Sequence, residues 1–318
     1  MQKSNLKRPI PLSRGDKVAL IATSSPLPDD NIERGIDSIH FFGLEPVVFP
    51  SCTLHHGYLA GKDAERANDI NNAFADESIK GIFCLRGGFG STRLLNLIDF
   101  EMIKRNPKVF AGYSDITSLH ISINQKCEFI TFHSPMPNTR YRQMDEFSLK
   151  SLKDNLFSDK PLGEVFNPPG EKITTIVPGV CEGQIAGGNL SLLQGTLGSP
   201  YEVDTKGKIL FIEEVGEAPY RVDRALTALA LAGKFDDCAG IILGTFADCV
   251  PPTIETAEPN SLIAEGSLTL EQVFDEVVKP FSKPTILNFR SGHVYPQLTI
   301  PMGAQLKLDA TDGRLIFS

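Results

Sequence analysis

No apolar run in the chain is long enough to span a bilayer, which excludes a helical membrane protein. The six cysteines, at positions 52, 84, 127, 181, 238 and 249, are scattered, and no two stand in C-x-x-C spacing. They read as reduced, partly buried thiols and not as a zinc site, a redox pair or a disulfide framework. There is no H-E-x-x-H and no ladder of His and Cys, so no metal motif is present and no cofactor is expected. His55 and His56 precede Gly57. Adjacent side chains do not converge on one ion in a strand or helix, so this pair reads as a solvated turn. Positive charge is not in excess. The net charge of −8 disfavours nucleic acid or an anionic membrane as the main partner, since either would want a basic face. The early basic residues lead only into the short stretch "VALIA", too short for the core of a signal peptide, and a cytoplasmic location is expected. Internal repeats and low-complexity segments are absent.

What is present is the composition of an ordinary globular protein, with 41% hydrophobic and 22% charged residues. A length of 318 residues suggests two domains. The first half alternates strand-like and helix-like segments. "KVALIAT", "EPVVFPS", "IKGIFCLR", "KVFAGYS" and "FITFHS" read as strands. Between them, "DDNIERGIDSIHFFG" and "KDAERANDINNAFAD" carry helical spacing, the latter with Ala67, Ile70, Ala73 and Phe74 on one face. "STRLLNLIDF" and the stretch from Asp115 complete the pattern, and a helix over about 145–157 closes it. Strands separated by such helices predict a parallel sheet with covering helices, whose sites gather at the carboxyl ends of the strands. A Pro- and Gly-rich stretch over 158–179 reads as the domain boundary. The second half, 180–318, reads as α/β with a β-rich tail that includes "LTIPMG". The predicted organisation is thus an N-terminal α/β domain over 1–157, a linker over 158–179 and a C-terminal domain over 180–318. The long polar connection over 250–266 reads as an insertion near the site or a surface loop.

Four stretches can carry chemistry. In "VFAGYSDITSLH" (109–120), Ser114 stands where a strand becomes a helix. It is either a nucleophile on a tight turn, served by the unpaired N–H groups of the helix start, or a helix cap. A capping box would want Glu or Gln three residues on, where Thr117 stands, and G-Y-S-D-I breaks G-x-S-x-G at its last position. "RGGFGSTR" (86–93) is an oxyanion-hole loop, a phosphate cradle or a structural turn. It matches neither G-x-G-x-x-G nor the P-loop, and Arg86 and Arg93 on either side favour an anionic ligand group. "ILFIEEVGE" (209–217) ends an apolar strand in two carboxylates, of which Glu213 is harder to explain as solvated charge than Glu214 or Glu217. His293, after a strand and a glycine in "FRSGHVYPQLTIPMG", is a candidate general base, with His120 and His133 as rivals.

These pieces occur in the order glycine loop, serine, glutamate, histidine. With "VALIATSSP", "GYLAGKDAERANDINNAF", "HSPM", "GGNLSLLQGTLGS", "LFIEEVGEAPYRVDR" and "GIILGTF", they resemble the LD-carboxypeptidase family of serine peptidases, which also holds the microcin C self-immunity peptidases. The resemblance covers nearly the whole chain. It implies two domains with the active site at their interface and a triad of Ser114, Glu213 and His293, with Glu214 as the alternative acid. The oxyanion donors it implies are backbone N–H groups of Asp115 and of the Gly87–Gly88 turn. A free α-carboxylate on the substrate calls for a cationic or N–H-rich pocket, for which Arg86, Asn189 and Arg221 are the candidates. "EEVGEAPYRVDR" is more similar to the murein-recycling branch than to the microcin-immunity branch. The implied substrate is a small peptide, the cytoplasmic murein tetrapeptide, cut before its terminal D-Ala, and the implied assembly is a homodimer. Rival readings are cleavage of an aminoacyl-nucleotide conjugate, an ordinary α/β-hydrolase, and a non-catalytic binder of small anionic ligands.

Overall fold

A computed structural model describes residues 5–28, 30–251 and 267–318. The chain divides into two compact units. The first takes Met1–Leu162 and Tyr295–Ala304, the second Gly163–Val294 and Gln305–Phe317.

Unit 1 is built on β1 (Lys17–Ile21), β2 (Glu45–Val48), β3 (Ile79–Cys84), β4 (Val109–Gly112) and β5 (Thr131–His133), joined through α1 (Asn31–Phe41), α2 (Asp63–Ala75), α3 (Phe100–Arg105) and α4 (Thr117–Cys127), with α5 (Glu146–Leu156) after them. The sheet order is β12-β5-β4-β3-β1-β2, parallel throughout except at β12 (Ile300–Met302), which runs antiparallel to β5. Val18, Ala19, Leu20 and Ile21 are all fully buried. Such a run has no polar face because helices cover both sides of a parallel sheet. α2 buries Ala67, Ile70, Ala73 and Phe74, the face its spacing predicts. "STRLLNLIDF" divides into a 3-10 turn over Ser91–Leu97 and α3, whose start Asp99 caps by accepting from Met102 N–H.

Unit 2 holds β6 (Gly163–Val165), β7 (Thr174–Val177), β8 (Val180–Asn189), β9 (Ile209–Val215), β10 (Gly240–Ala247), β11 (Thr285–Leu287), β13 (Gln305–Asp309) and β14 (Arg314–Phe317). Its sheet runs β6-β14-β13-β8-β9-β10-β11-β7, with β8 to β11 parallel and the flanking strands antiparallel. The helices are α6 (Leu190–Gly195), α7 (Pro219–Leu231), α8 (Lys234–Asp237) and α9 (Leu270–Val273), the last running on into a π turn over Phe274–Val278.

Two features differ from the organisation read in the sequence. The 158–179 stretch is not only a connection, because β6 and β7 within it close the two edges of the second sheet. Edge strands tolerate the proline and glycine that flank them, since one side of the ladder needs no partner. "LTIPMG" belongs to the first sheet and not to a C-terminal tail. Buried Ile300 and Met302 cover the β5 edge, and the chain then returns to unit 2. Most of the 250–266 segment, from 252 on, lies outside the described residues.

Gly187 fixes how closely β8 approaches β9. Its φ is 125°, and a Cβ there would lie 2.0 Å from the Phe211 carbonyl oxygen. Backbone cannot yield as a flexible side chain does. Gly187→Ala is expected to cost about 2–4 kcal/mol from strained φ and overpacking, read as a lower urea midpoint with unchanged m-value.

Candidate active site

Ser114 leaves β4 with φ 66°. An N-cap stands in extended backbone and spends its side chain on the helix start. Ser114 has left-handed backbone instead, opens a 3-10 turn over Ser114–Ile116, and is followed by α4, whose N-cap is Ile116. Left-handed backbone is costly for a residue with a Cβ and persists only where neighbours over-determine it. The neighbours here are specific. The Asp115 carboxylate, 1% exposed, accepts from Ser24 Oγ at 2.5 Å and from the Ser91 N–H at 2.8 Å. Ser91 Oγ donates in turn to the Asp115 carbonyl. Burial raises the Asp115 pKa, and the hydrogen bonds from Ser24 and Ser91 oppose that rise. On the strand side, the Gly112 carbonyl accepts from the Ser134 N–H at 3.0 Å and is 2.9 Å from His120 Nε2.

The glycine loop lies directly against this turn. A Cβ on Gly87 would fall 3.0 Å from both Ser114 Cβ and Oγ, and 3.6 Å from the Asp115 nitrogen. The space that a side chain at 87 would fill is therefore bounded by the serine hydroxyl and a backbone N–H. Gly88, at φ 110°, would place a Cβ 2.3 Å from Ser25 Oγ. Ser25 ties the loop down, donating its N–H to the Gly87 carbonyl and accepting from the Phe89 N–H.

Arg66, whose role the sequence did not single out, anchors the same region. Its side chain is fully buried, and it donates to the carbonyls of Thr23 and Gly90 and to Asp63 Oδ1. Burial lowers its pKa, with the Asp63 contact opposing. A signal was available: Arg66 shares the stripe of Ile70 and Ala73, and a charge on an apolar stripe must have buried partners. Arg93, expected to favour an anionic ligand group, is paired within the protein. Its guanidinium forms a two-pronged pair with Asp63, with Nε 3.0 Å and Nη2 2.9 Å from Oδ2, because that carboxylate already lies beside the loop on Arg66. Arg86 Nη1 donates to the Pro26 carbonyl at 2.6 Å.

In unit 2, β9 brings its two carboxylates to different partners. Glu213, fully buried, has Oε2 2.8 Å from His293 Nδ1, and the His293 side chain is 17% exposed. Burial raises the Glu213 pKa, opposed first by the hydrogen bond to His293. Glu214 accepts from Asn189 Nδ2 at 2.8 Å, from the Ser191 N–H at 2.8 Å and from Ser191 Oγ at 2.7 Å. It thus secures the first turn of α6, where an anion is electrostatically favoured. Asn189, 4% exposed at the end of β8, stands opposite Glu213 in the register of β8 and β9. Gly292 makes the His293 approach possible. At φ 118°, a Cβ there would lie 2.6 Å from Glu213 Oε2 and 2.9 Å from Thr245 Oγ1. Thr245 holds the loop by donating from both N–H and Oγ1 to the Ser291 carbonyl.

The other expected residues fall as follows. His120 is fully buried and its pKa is pushed down to about 4 by burial, so it is a neutral support for the Gly112 carbonyl. His133, also fully buried, sets its ring edge-on to Tyr113 at 5.7 Å. Arg221 is exposed, donates from Nε to Tyr220 Oη, and lines a cavity of about 530 Å³ between α6 and α7. Among the described residues, no group of three or more His, Cys, Asp or Glu is placed to hold a metal ion, and no helix is long and apolar enough to cross a membrane. Unit 1 supplies a hydroxyl on a strained turn beside backbone N–H groups. Unit 2 supplies an imidazole oriented by a buried carboxylate.

Comparison with known proteins agrees with this chemistry. Residues 18–134 match the LD-carboxypeptidase N-terminal domain and residues 182–308 the LD-carboxypeptidase C-terminal domain. A probable murein peptide carboxypeptidase of Bacillus subtilis (strain 168) is 38% identical over 306 residues, 96% of this chain and 92% of that protein. The solved structure of a muramoyltetrapeptide carboxypeptidase from Oxalobacter formigenes superposes with TM-score 0.78 at 26% identity, covering 95% of this chain and 97% of its own. A structure of MccF with glutamyl sulfamoyl guanosine shares the fold at TM-score 0.86 and 24% identity, covering 99% of this chain and 98% of its own.

The buried His120 generates a pH dependence. Its folded pKa lies below its unfolded value, so its contribution is fully present above about pH 6.5 and is lost as pH falls toward about 4. Stability is expected to drop by about 3 kcal/mol across that window. In urea titrations at stepped pH, His120→Gln should flatten this slope.

Proposed function

The chain belongs to the LD-carboxypeptidase family, and from that premise we propose that it is a serine carboxypeptidase hydrolysing the LD-peptide bond before the terminal D-Ala of a murein tetrapeptide, in peptidoglycan recycling in the cytoplasm. The observation that carries the chemistry is Ser114 at φ 66° on a strand-to-helix turn, against the glycine loop. A side chain held at that conformational cost is favoured where exposure of its hydroxyl is what the turn is for. The paired His293 and Glu213 support a base with its orienting acid. The choice of substrate is supported by the relatives named for murein peptides.

In this reading, His293 donates Nδ1–H to Glu213, which leaves the Nε2 lone pair to act as base. Nε2 takes the Ser114 proton as Oγ adds to the scissile carbonyl carbon. The carbonyl oxygen becomes an oxyanion held by the N–H groups of Asp115 and of the Gly87–Gly88 turn. Collapse breaks the C–N bond, and the imidazolium returns its proton to the leaving amine of D-Ala. Water then adds to the acyl-enzyme with His293 again as base, and Ser114 recovers its proton. Glu213 stabilises the imidazolium at each stage. The free carboxylate of D-Ala calls for a cation or N–H group, with Arg86 the first candidate and Arg221 and Asn189 the others. The working assembly is a homodimer.

The test is D-Ala release from tetrapeptide. Ser114→Ala is expected to lose at least about 10⁴-fold in kcat while still binding substrate. Undiminished release by that variant would end the serine mechanism. Failure of the wild type to release D-Ala, with rapid cleavage of an aminoacyl sulfamoyl-adenosine, would move the chain to the microcin-immunity chemistry. Ligand binding without turnover of either would leave a binder. Glu213→Gln should lower kcat by about 10²–10⁴-fold through loss of the correct tautomer. Glu214→Gln should instead lower the melting temperature, with kcat nearly kept.

A further inference from the structure

Residues 23–26, the end of "VALIATSSP", leave β1 and take no part in bond making. β1 is not the neighbour of β4, because the sheet order places β3 between them. Yet this short segment bonds to the turns that follow both of those strands. Beyond β3, the Ser25 N–H donates to the Gly87 carbonyl at 3.3 Å, and Ser25 Oγ accepts from the Phe89 N–H at 3.2 Å. The Pro26 carbonyl accepts from Arg86 Nη1 at 2.6 Å. Beyond β4, Ser24 Oγ donates to Asp115 Oδ2 at 2.5 Å. The Thr23 carbonyl accepts from Arg66 Nη1, and the same nitrogen donates to the Gly90 carbonyl at 3.0 Å. The segment is thus bonded to both ends of the glycine loop and to the residue after Ser114.

The glycine loop stands against a serine at each of two consecutive positions. A Cβ on Gly87 would lie 3.0 Å from Ser114 Oγ, and one on Gly88 would lie 2.3 Å from Ser25 Oγ. An oxyanion hole needs its N–H donors about 2.7–3.1 Å from the place where the charged oxygen will lie. Donors on separate turns must therefore be held in place to within about 0.5 Å. Here the turns follow different strands, and Ser24 and Ser25 reach one each. Consecutive Cα atoms are about 3.8 Å apart, so the adjacency of these two serines is a short, stiff measure of the gap between the turns. Ser24 is fully buried and Ser25 half-buried. Phe89 is 51% exposed, so its N–H can turn to water if the Ser25 hydroxyl is removed. The Ser25 bond therefore does little for stability, and what it supplies is the placement of the loop.

Resting on the serine-peptidase reading of the site, we propose that Ser24 and Ser25 are positioning residues for the oxyanion hole. Ser25 sets the Gly87–Gly88 donors, Ser24 sets the Asp115 donor, and their adjacency in the chain fixes the distance between the two. Their effect is confined to steps in which the carbonyl oxygen carries charge, so it enters kcat and not ground-state binding.

The experiment compares D-Ala release from tetrapeptide by the wild type and by Ser25→Ala, together with binding of a tripeptide whose terminal carboxyl is replaced by boronic acid. Ser114 Oγ adds to the boron, its proton passes to His293, and the boron becomes a tetrahedral anion with one oxygen in the hole. Ser25→Ala is expected to lose about 10–100-fold in kcat, the scale of a misplacement of about 1 Å. Its KM should stay within about twofold and its melting temperature should not change. Its affinity for the boronate should fall by a factor similar to that in kcat. Ser24→Ala should show the same split between kcat and KM and also a lower urea midpoint, because the buried Asp115 carboxylate loses a donor. Unchanged kcat and boronate affinity in Ser25→Ala would overturn the proposal, as would a loss confined to KM. Lower stability of Ser24→Ala with kcat kept would overturn the Asp115 half. The wild type separates the layers. Equal D-Ala release by the wild type and Ser25→Ala would sink only the positioning. If the wild type cleaves an aminoacyl sulfamoyl-adenosine instead, the substrate reading fails, and the same comparison of kcat on that conjugate decides the positioning. A wild type that turns over neither substrate would sink both.

Discussion

The peptide unit joining Gly90 and Ser91 is gripped at both ends. Its carbonyl accepts from Arg66 and its N–H donates to Asp115, so a buried cation and a buried anion hold one rigid plane between them. Everything proposed for unit 1 depends on that grip. Asp115 is the residue after Ser114, and its carboxylate cannot keep its bonds to Ser24 and Ser91 unless the chain turns sharply at 114. Left-handed backbone at a non-glycine residue costs about 1–3 kcal/mol. A hydrogen bond to a buried charge contributes about 1.5–3 kcal/mol, and two reach the Asp115 carboxylate from these neighbours. These bonds oppose both that strain and the cost of burying the carboxylate. Removing one partner would leave a buried charge uncompensated, which is worse than never having buried the pair.

Unit 2 orients its imidazole by a different device, the two-residue period of a strand. Successive side chains on β9 leave the sheet on opposite faces, so adjacent glutamates cannot share a partner set. Glu213 meets the histidine loop, which glycines at 244 and 292 allow to come close. Glu214 turns to the start of α6 and completes its first turn. One acid is thereby committed to local folding and the other is left in a desolvated pair, where its charge acts on the imidazole with little screening by water. Asn189 is the register neighbour of Glu213 across β8 and β9, and it gives its side-chain amide to Glu214.

Much of this was legible in order and type. The apolar runs, the helical face of α2, the serine at a strand-to-helix junction and the histidine after a glycine all follow from local pattern, because burial on two faces and helical periodicity leave direct marks on composition. The boundaries were less legible. β6 and β7 carry few apolar residues, since edge strands bury little, and so they read as linker. β12 is only three residues long, and its place beside β5 is set by a non-local pairing that no short window contains. The pairing of Arg93 with Asp63, thirty residues away, is likewise outside any short window.

The sequence by itself determined the two-unit α/β class, the order of chemical groups along the chain and the family to which that order belongs. These are properties of local propensity and of spacing, and they survive without knowing which residues meet. Only the tertiary structure decided that Ser114 is strained and not capping a helix, that Glu213 and not Glu214 faces His293, and that Arg66 is a buried anchor. Each of those turns on a contact between residues far apart in sequence. The free energy of such a contact comes from shared burial, which exists only once the chain has folded.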